Sequence, residues 1–137
     1  MIEYHYIEPV ELKKHWHIVR DGMGIVCKRV PHIPEEIYMM IAQGAAHLHI
    51  ITKDGEYYAF TVTQNLQDFG QIRLHIWAAY SNTNEFETVK SIMPQIKEWA
   101  KAINASRITF ESNRPGWEKR APELGYKKAS TTYEIQL

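Results

Sequence analysis

The sequence predicts an α+β (α/β) fold built on a mostly antiparallel sheet. Strand-like residues 47–52 and 57–63 flank Asp54-Gly55, a dipeptide that supplies the positive backbone angles required by a two-residue hairpin turn. Residues 72–79 alternate apolar and polar side chains, which indicates a third antiparallel strand. An apolar stripe at three- and four-residue steps then predicts a long helix packed on the sheet, formed by Phe86, Val89, Ile92, Met93, Ile96, Trp99, Ala100 and Ile103.

The segment before the hairpin predicts a short strand and two helices. Residues 4–7 form the strand, and the first helix follows Pro9, with a break or bend at residues 21–22. Residues 30–34 predict a connection, because a residue that precedes proline disfavours helical geometry. The second helix starts at Pro34, where acidic residues suit the positive helix N-terminus. The apolar side of the first helix consists of Val10, Trp16, Val19 and Met23.

The long helix carries its own start signal and one interruption. Asn84 can accept hydrogen bonds from the first turn while Glu87 reaches back, which is a capping-box arrangement. Pro94 removes a hydrogen bond from the middle of the helix, so we expect a kink there. The remaining elements are predicted to be a strand, a short helix or irregular turn, and a final strand, at residues 107–112, 116–124 and 129–137.

Composition and charge limit the classes of function. The 137 residues suit one domain spanning 1–137. Sixteen basic and sixteen acidic residues cancel, and no long run of one sign occurs. The charge pattern therefore gives no strong signal of nucleic-acid binding, and we expect no binding to a membrane surface. The longest uncharged stretch, residues 37–52, is too polar and too short to span a bilayer. The single Cys27 and the charged N-terminus predict a cytoplasmic protein.

The order of the predicted elements and one segment near the C-terminus resemble the GCN5-related N-acetyltransferase (GNAT) family. The segment runs through residues 114–126 and closes with Leu124-Gly125-Tyr126, similar to the leucine-glycine-aromatic close of the last GNAT helix. The resemblance spans nearly the whole chain. It implies a mixed, mostly antiparallel sheet with helices on both faces.

Two shorter motifs resemble a narrower group, the small GNAT-like proteins encoded by tailed phages and prophages. These motifs are Arg114-Pro115-Gly116-Trp117 and, in the long helix, Trp99-Ala100. The resemblance implies a virion or assembly component that binds other phage proteins. Such a protein is expected in the cytoplasm of an infected bacterial host or incorporated in the virion, and a homo-oligomer is compatible with it.

The loop that binds coenzyme A in active GNAT enzymes has no counterpart in this sequence. In those enzymes it reads Arg/Gln-x-x-Gly-x-Gly/Ala, because glycines let backbone amides approach the pyrophosphate at a helix N-terminus. Here the chain reads Ser81-Asn82-Thr83-Asn84-Glu85, with neither glycine nor a basic residue. Acidic residues in the first turn of the following helix predict repulsion of a diphosphate. They are also common at helix N-termini without any function, because they interact favourably with the helix dipole.

Two functional hypotheses follow from this departure. The favoured one is a non-catalytic virion or assembly component with no cofactor. The alternative is an N-acetyltransferase that uses acetyl-CoA to modify a host or phage amine. In the alternative, coenzyme A contacts Ser81, Asn82, Thr83 and Asn84, Glu111 acts as base, and Tyr80 or Tyr126 acts as acid. These residues also have an explanation without catalysis, in which the glutamate is an ordinary surface residue and the tyrosines are half-buried in the core.

Three residues near the C-terminus are candidates for binding a partner protein. Trp117 lies close in sequence to Arg114 and Arg120, and aromatic and arginine side chains concentrate binding energy at interfaces. The alternative places Trp117 in the core beside Trp99.

The histidines raise the question of a metal site. His47 and His49 share one face of a strand, and His75 on the third strand joins them if the register allows. Neither a cysteine nor a His-Glu-x-x-His pattern accompanies them, so we expect no metal and interpret them as hydrogen-bonded histidines beneath a helix. Cys27 has no evident activating partner, which favours a buried thiol.

Overall fold

The computed structural model describes residues 1–29, 32–112 and 114–137, and these residues form a mixed α/β fold with a five-stranded sheet. The strands are β1 Ile2–Ile7, β2 His47–Lys53, β3 Glu56–Asp68, β4 Gln71–Ser81 and β5 Arg107–Phe110. The helices are α1 Leu12–Arg29, α2 Pro34–Ala42, α3 Glu85–Ala102 and α4 Gly116–Arg120. Short 3-10 turns occupy Pro9–Glu11 and Pro122–Leu124. The predicted fold class is confirmed.

The sheet is an antiparallel meander with one parallel strand added at its edge. Strands β1 to β4 pair in chain order, and β5 then pairs in parallel with β4. The parallel pairing requires a crossover, which α3 supplies. It joins only four residues of each strand and ends at the pair Ile76 and Phe110. Beyond this pair, β4 continues to Ser81 without β5 beside it.

A β-bulge lies at the point where β4 and β5 separate. On β3, Val62 pairs with Ala78 and the next residue, Thr63, pairs with Ile76, so Trp77 is the extra residue on β4. A bulge bends its strand and leaves one residue outside the ladder. The bulge and the early end of β5 therefore open the sheet between these two strands.

Each face of the sheet carries its own apolar cluster. On the first face, α1 and α2 cover the sheet, and the fully buried residues there include Val19, Met23, Ile37, Leu48 and Phe60. On the second face, α3 covers the sheet, and the corresponding residues include Ile51, Ala59, Leu74, Ile92 and Ile96. This arrangement places helices on both faces, as expected from the family resemblance. None of the helices in the described ranges is long and apolar enough to cross a membrane.

Several predicted local features are confirmed. Asp54 and Gly55 both adopt positive φ, at 53° and 83°, and join β2 to β3 in a tight hairpin. The second helix begins at Pro34 as predicted. Asn84 caps α3 by accepting a hydrogen bond from the Glu87 backbone amide. Helix α3 continues through Pro94, and the kink expected there stays a prediction. Of the predicted connection over 30–34, residues 30 and 31 lie outside the described part of the chain.

Two predictions for helical and strand boundaries are wrong. Helix α1 runs without a break through Asp21 and Gly22, because Gly22 lies against the sheet and leaves room there for the ring of Tyr80. The predicted final strand at 129–137 is absent, and these residues are exposed and belong to no regular element. Their composition suits a strand, but a strand forms only where another strand completes its backbone hydrogen bonds. In the described chain, no strand pairs with this segment.

Candidate functional site

A cavity of about 100 Å³ lies where β4 and β5 separate. We call it the central cavity. Its wall includes the fully buried Thr61 and the partly exposed side chains of Arg29, Glu85 and Arg114, so the side of these three residues faces solvent. Most of its interior wall is apolar and is formed by Ile76, Val89, Ile92, Ile96 and Phe110. The site is therefore a consequence of the bulge on β4 and the short length of β5.

One polar atom in the central cavity has no partner. Thr61 lies on β3, its residue surface is 0 % exposed, and it contributes to the cavity wall. Its Oγ1 atom is buried and has no hydrogen-bond partner among the residues that the structure describes. A buried hydroxyl without a partner costs roughly 1–3 kcal/mol, so such atoms usually mark a place where a water molecule or ligand completes the bonding.

An ion cluster stands at the opening of the cavity. We define the mouth cluster as Arg29, Glu85 and Arg114, which come from the end of α1, the start of α3 and the segment after β5. The Nη1 atoms of Arg29 and Arg114 both approach Oε2 of Glu85, the former at 3.7 Å and the latter as a direct hydrogen bond. The sequence suggested that Glu85 is an unbalanced negative charge. In the structure, two arginines balance it.

Two of the predicted catalytic residues reach the central cavity. Glu111 and Tyr126 both contribute to its wall. The Tyr126 hydroxyl donates to Met93 Sδ at 3.3 Å, and its ring meets Phe110 edge to face with centroids 4.9 Å apart. Burial raises the pKa of Tyr126 to about 12. The Tyr126 phenol therefore keeps its proton throughout the neutral range.

The third predicted catalytic residue, Tyr80, lies on the opposite face of the sheet. Its ring stacks on Phe60 with centroids 6.1 Å apart, beneath Gly22 of α1. It does not contribute to the wall of the central cavity. The structure thus brings Glu111 and Tyr126 together and separates Tyr80 from both. The catalytic roles themselves stay predictions.

The loop proposed to contact coenzyme A uses its polar side chains for internal bonds. Ser81 Oγ bonds with the hydroxyl of Thr83 at 3.1 Å and also accepts from the Thr83 amide. Asn82 donates to the Tyr57 carbonyl at 3.2 Å, and Asn84 caps α3. These contacts fix the loop against β3 and α3, and none of the four side chains contributes to the central cavity.

The three predicted partner-binding residues surround the start of α3. Trp117 meets Phe86 and Phe110 edge to face, with centroids 6.3 and 5.1 Å away, and it contributes to the cavity wall. The Arg120 guanidinium lies 5.1 Å from the centroid of the Phe86 ring. Trp117 is half-buried and lies away from Trp99, which packs against Tyr4 instead. Whether these residues bind a partner stays a prediction.

The histidines do not form one group. His47 and His49 lie on the face covered by α3, where His49 stacks on Trp99 with centroids 3.9 Å apart. His75 pairs with Thr109 of β5, and its Nδ1 lies 2.9 Å from the Thr109 hydroxyl. Within the described ranges, no group of three or more His, Cys, Asp or Glu side chains could hold a metal ion.

His75 belongs to a polar network at the start of the parallel pairing. The Arg73 guanidinium donates to Asp68 at 2.7 Å and to Thr109 at 3.0 Å. Burial lowers the pKa of His75, the positive charge of Arg73 lowers it further, and Glu111 opposes both.

Nothing in the sequence pointed to Arg29 and Thr61 as members of the site. Arg29 is a basic residue in the last turn of a helix, where it is also favoured by the helix dipole, so nothing in the sequence distinguishes it. Thr61 belongs to a run of buried strand residues, and only the register of β3 against β4 places it under α3. Cys27 is buried as predicted, and burial raises the pKa of its thiol, with smaller contributions from Glu35 and Glu36.

Comparisons with known proteins concern the fold. No protein-family model and no curated protein matches this sequence. The ribosomal-protein-alanine N-acetyltransferase of Brucella melitensis biovar Abortus 2308 matches with a TM-score of 0.73 and 12% identity, over 100% of both chains. Aminoglycoside N-acetyltransferase AAC(6')-Iy in complex with CoA matches with a TM-score of 0.69 and 11% identity, over 100% of this chain and 95% of that one.

A third structure, an acetyltransferase of Trypanosoma brucei, matches with a TM-score of 0.68 and 13% identity, over 100% of both chains. At these identities the likeness establishes the fold alone. The chain therefore has a GNAT-like fold, as the resemblance of its sequence implied.

Proposed function

We propose that this chain is an N-acyltransferase that uses acyl-coenzyme A and modifies an amine. The observation that carries the proposal is the central cavity, which combines an apolar wall with Thr61, Glu111 and Tyr126. Two further points support it. The fold is that of acetyltransferases, and two of the similar structures are named as complexes with CoA or a CoA bisubstrate analogue.

The residues present fit the acyl end of coenzyme A. A cavity of about 100 Å³ suits a short acyl thioester and excludes the bulky nucleotide, which must remain outside. Thr61 Oγ1 offers an unused hydrogen-bonding group inside the cavity. Beyond Ile76, the edge of β4 has no strand of the described chain on its β5 side, so its backbone groups can bind an extended ligand arm.

The chemistry assigns separate roles to two side chains. Coenzyme A, when bound, supplies the acyl group as an activated thioester. Glu111 accepts a proton from the incoming amine, since an amine attacks a carbonyl only through its free lone pair. Tyr126 holds a proton on its hydroxyl, because burial raises its pKa to about 12, and is the donor for the departing thiolate.

A second candidate is the non-catalytic virion or assembly component of a phage. The observation that favours it is the loop at 81–84, whose side chains are engaged in internal bonds and whose sequence lacks glycine. In this function the cavity has no cofactor, and Arg114, Trp117 and Arg120 contact a partner protein. Binding of coenzyme A separates the two candidates.

Isothermal titration with acetyl-CoA, followed by an acetyl-transfer assay on a panel of primary amines, tests the proposal. We expect saturable binding, and we expect Glu111→Gln to lower kcat by about 10²–10⁴-fold with little change in affinity. Glu118→Gln is the matched control, because Glu118 is also an exposed glutamate but lies on α4 and does not contribute to the cavity wall. This variant should retain wild-type kcat. Absence of acetyl-CoA binding would overturn the proposal and favour the non-catalytic candidate.

A further inference from the structure

We infer that the mouth cluster is a diphosphate-binding site in which the Glu85 carboxylate holds the place of the ligand. The inference rests on the proposed function, because it concerns the anionic end of the same acyl-CoA. It assigns phosphate binding to side chains, Arg29 and Arg114, in a chain whose loop has no glycine for backbone binding.

The geometry of the cluster is that of two cations sharing one anion. Both guanidinium groups approach the same oxygen, Oε2 of Glu85, from elements far apart in the chain. Arginine presents planar donors that match carboxylate and phosphate oxygens equally well. A phosphate oxygen can therefore replace Oε2 without any change in the type of contact.

The position of the cluster connects it to the central cavity. All three members contribute to the cavity wall, and the same wall contains the buried, unpartnered hydroxyl of Thr61. The cavity wall thus combines a buried, neutral hydrogen-bonding group with two guanidinium groups on partly exposed side chains. An acyl-CoA has the matching order, with a thioester at one end of its arm and a diphosphate at the other.

The charge balance explains why Glu85 regulates the site. Among the cavity-wall residues, Arg29 and Arg114 contribute two positive charges, and Glu85 and Glu111 contribute two negative ones. The resting opening is therefore close to neutral. Movement of the Glu85 side chain out of the cluster removes the carboxylate oxygen that both guanidinium groups approach, so Glu85 competes with phosphate and weakens its binding.

Calorimetric titration of Glu85→Gln with coenzyme A and with inorganic pyrophosphate tests the inference. We expect both ligands to bind at least about tenfold more tightly than to wild type, because the variant lacks the charge that competes for the hydrogen bonds of the arginines. Glu87→Gln is the matched control, since it removes the same charge from the same helical turn outside the cluster. Arg114→Gln should weaken both ligands by a similar factor.

The outcomes separate this inference from the proposed function. If coenzyme A binds but Glu85→Gln and Glu87→Gln behave alike, the inference is overturned while the transferase proposal stands. If pyrophosphate binds Glu85→Gln more tightly and acetyl-CoA transfers no acyl group, the anion site stands and the transferase proposal fails. Unchanged binding of pyrophosphate in Arg114→Gln also overturns the inference.

A second inference follows independently from the exposed C-terminal segment. We propose that residues 129–137 pair with the free edge of β5 in a second copy of the chain. Tyr133 and Ile135 are 90 and 87 % exposed, and with Leu137 they alternate along the segment as the apolar side of a strand does. In the described chain, β5 pairs with β4 on one side and with no strand on the other.

The free edge and the free segment on one chain are complementary. An exposed strand edge presents unpaired backbone groups and is a template for another strand. The alternating side chains of the segment would extend the face of the sheet on which Ile108 and Phe110 of β5 lie. Reciprocal exchange between two copies satisfies both edges at once and gives a closed, two-fold dimer.

Sedimentation velocity over a range of concentrations, combined with amide hydrogen exchange, tests this pairing. We expect wild type to dimerise with protected amides in residues 129–137, and we expect Ile135→Lys to raise the dimer dissociation constant at least about tenfold by placing a charge in the buried strand face. Val10→Lys is the matched control at a residue 85 % exposed. A monomeric wild type, or a dimer that Ile135→Lys leaves unchanged, would contradict the proposal.

Discussion

At the scale of single residues, Gly22 is the point where α1 comes closest to the sheet. A Cβ atom at this position would lie 2.7 Å from Cδ2 and 2.9 Å from Cγ of Tyr80. The Tyr80 ring is stacked on Phe60 and cannot move aside freely. A residue that sequence patterns suggest as a helix breaker therefore serves close packing inside a continuous helix.

We expect Gly22→Ala to lower the free energy of unfolding by about 1–3 kcal/mol, because overpacking at the Tyr80 ring outweighs the gain in helix propensity. Gly24→Ala is the matched control in the same helix, where nothing lies within 4 Å of the added Cβ. It should raise the free energy of unfolding by about 0.5–1 kcal/mol. Urea denaturation measures both, and a stabilised Gly22→Ala variant would contradict the packing argument.

His49 makes stability depend on pH. Burial lowers its pKa from 6.5 to about 4, with a smaller contribution from His47, and its buried Nδ1 has no partner in the described part of the chain. The unfolded chain therefore binds more protons between pH 6.5 and 4, so the free energy of unfolding falls as pH decreases through this window. A shift of this size corresponds to about 2–3 kcal/mol between pH 7 and 4.

We expect His49→Phe to remove this part of the pH dependence and to keep the aromatic contact with Trp99. The difference between the variant and wild type in urea denaturation should widen steadily from pH 7 to pH 4. His17→Gln, at an exposed position of α1, is the control and should follow the wild-type profile. Parallel profiles for wild type and His49→Phe would show that folding leaves the pKa of His49 unchanged, which would contradict the prediction.

At the scale of elements, the start of α3 depends on a single side chain. Asn84 Oδ1 accepts from the Glu87 amide at 3.0 Å and satisfies one of the otherwise free donors of the first turn. We expect Asn84→Ala to lower the free energy of unfolding by about 1 kcal/mol, whereas Asn84→Asp, which keeps the acceptor, stays close to wild type. Thermal or urea unfolding measures both, and equal stability of the two variants would exclude a capping role.

Elements with local signals could be predicted from the sequence, and those set by distant contacts could not. Asp54-Gly55 requires positive φ and Asn84 requires only the next turn, so the hairpin and the cap follow from neighbouring residues. The continuity of α1 depends on Gly22 meeting Tyr80, which is far away in sequence. The predicted final strand failed for the opposite reason, because its pattern is local but its pairing partner is not.

At the scale of the whole molecule, the same distinction applies to the site. The fold class agrees with what the family resemblance implies, and Glu111 and Tyr126 contribute to the wall of one cavity, whereas their catalytic roles stay predictions. The mouth cluster could not be predicted, because it joins three segments whose proximity is set only by packing. The sequence predicted an acidic site at the start of α3. The structure instead places two arginines beside Glu85, and no sequence pattern indicates that position for them.

The opening between β4 and β5 leaves Thr61 with an unused hydroxyl at the centre of the molecule. We expect Thr61→Val to raise the free energy of unfolding by about 1 kcal/mol, since a buried polar atom without a partner is removed and the shape is kept. Thr88→Val is the matched control. Thr88 is also buried, but its hydroxyl bonds with Ser81 Oγ at 2.7 Å and with the Asn84 carbonyl at 2.9 Å.

Thr88→Val should lower the free energy of unfolding by about 1–3 kcal/mol, because it leaves those partners unsatisfied. Under the proposed function, Thr61→Val should also weaken acetyl-CoA binding while it stabilises the free protein, which is the opposition expected of a residue kept for ligand binding at a cost in stability. Urea denaturation and calorimetric titration on the same preparations measure the two effects. If Thr61→Val is destabilising, the hydroxyl already has a partner in the free protein, and its role as an unused ligand contact is excluded.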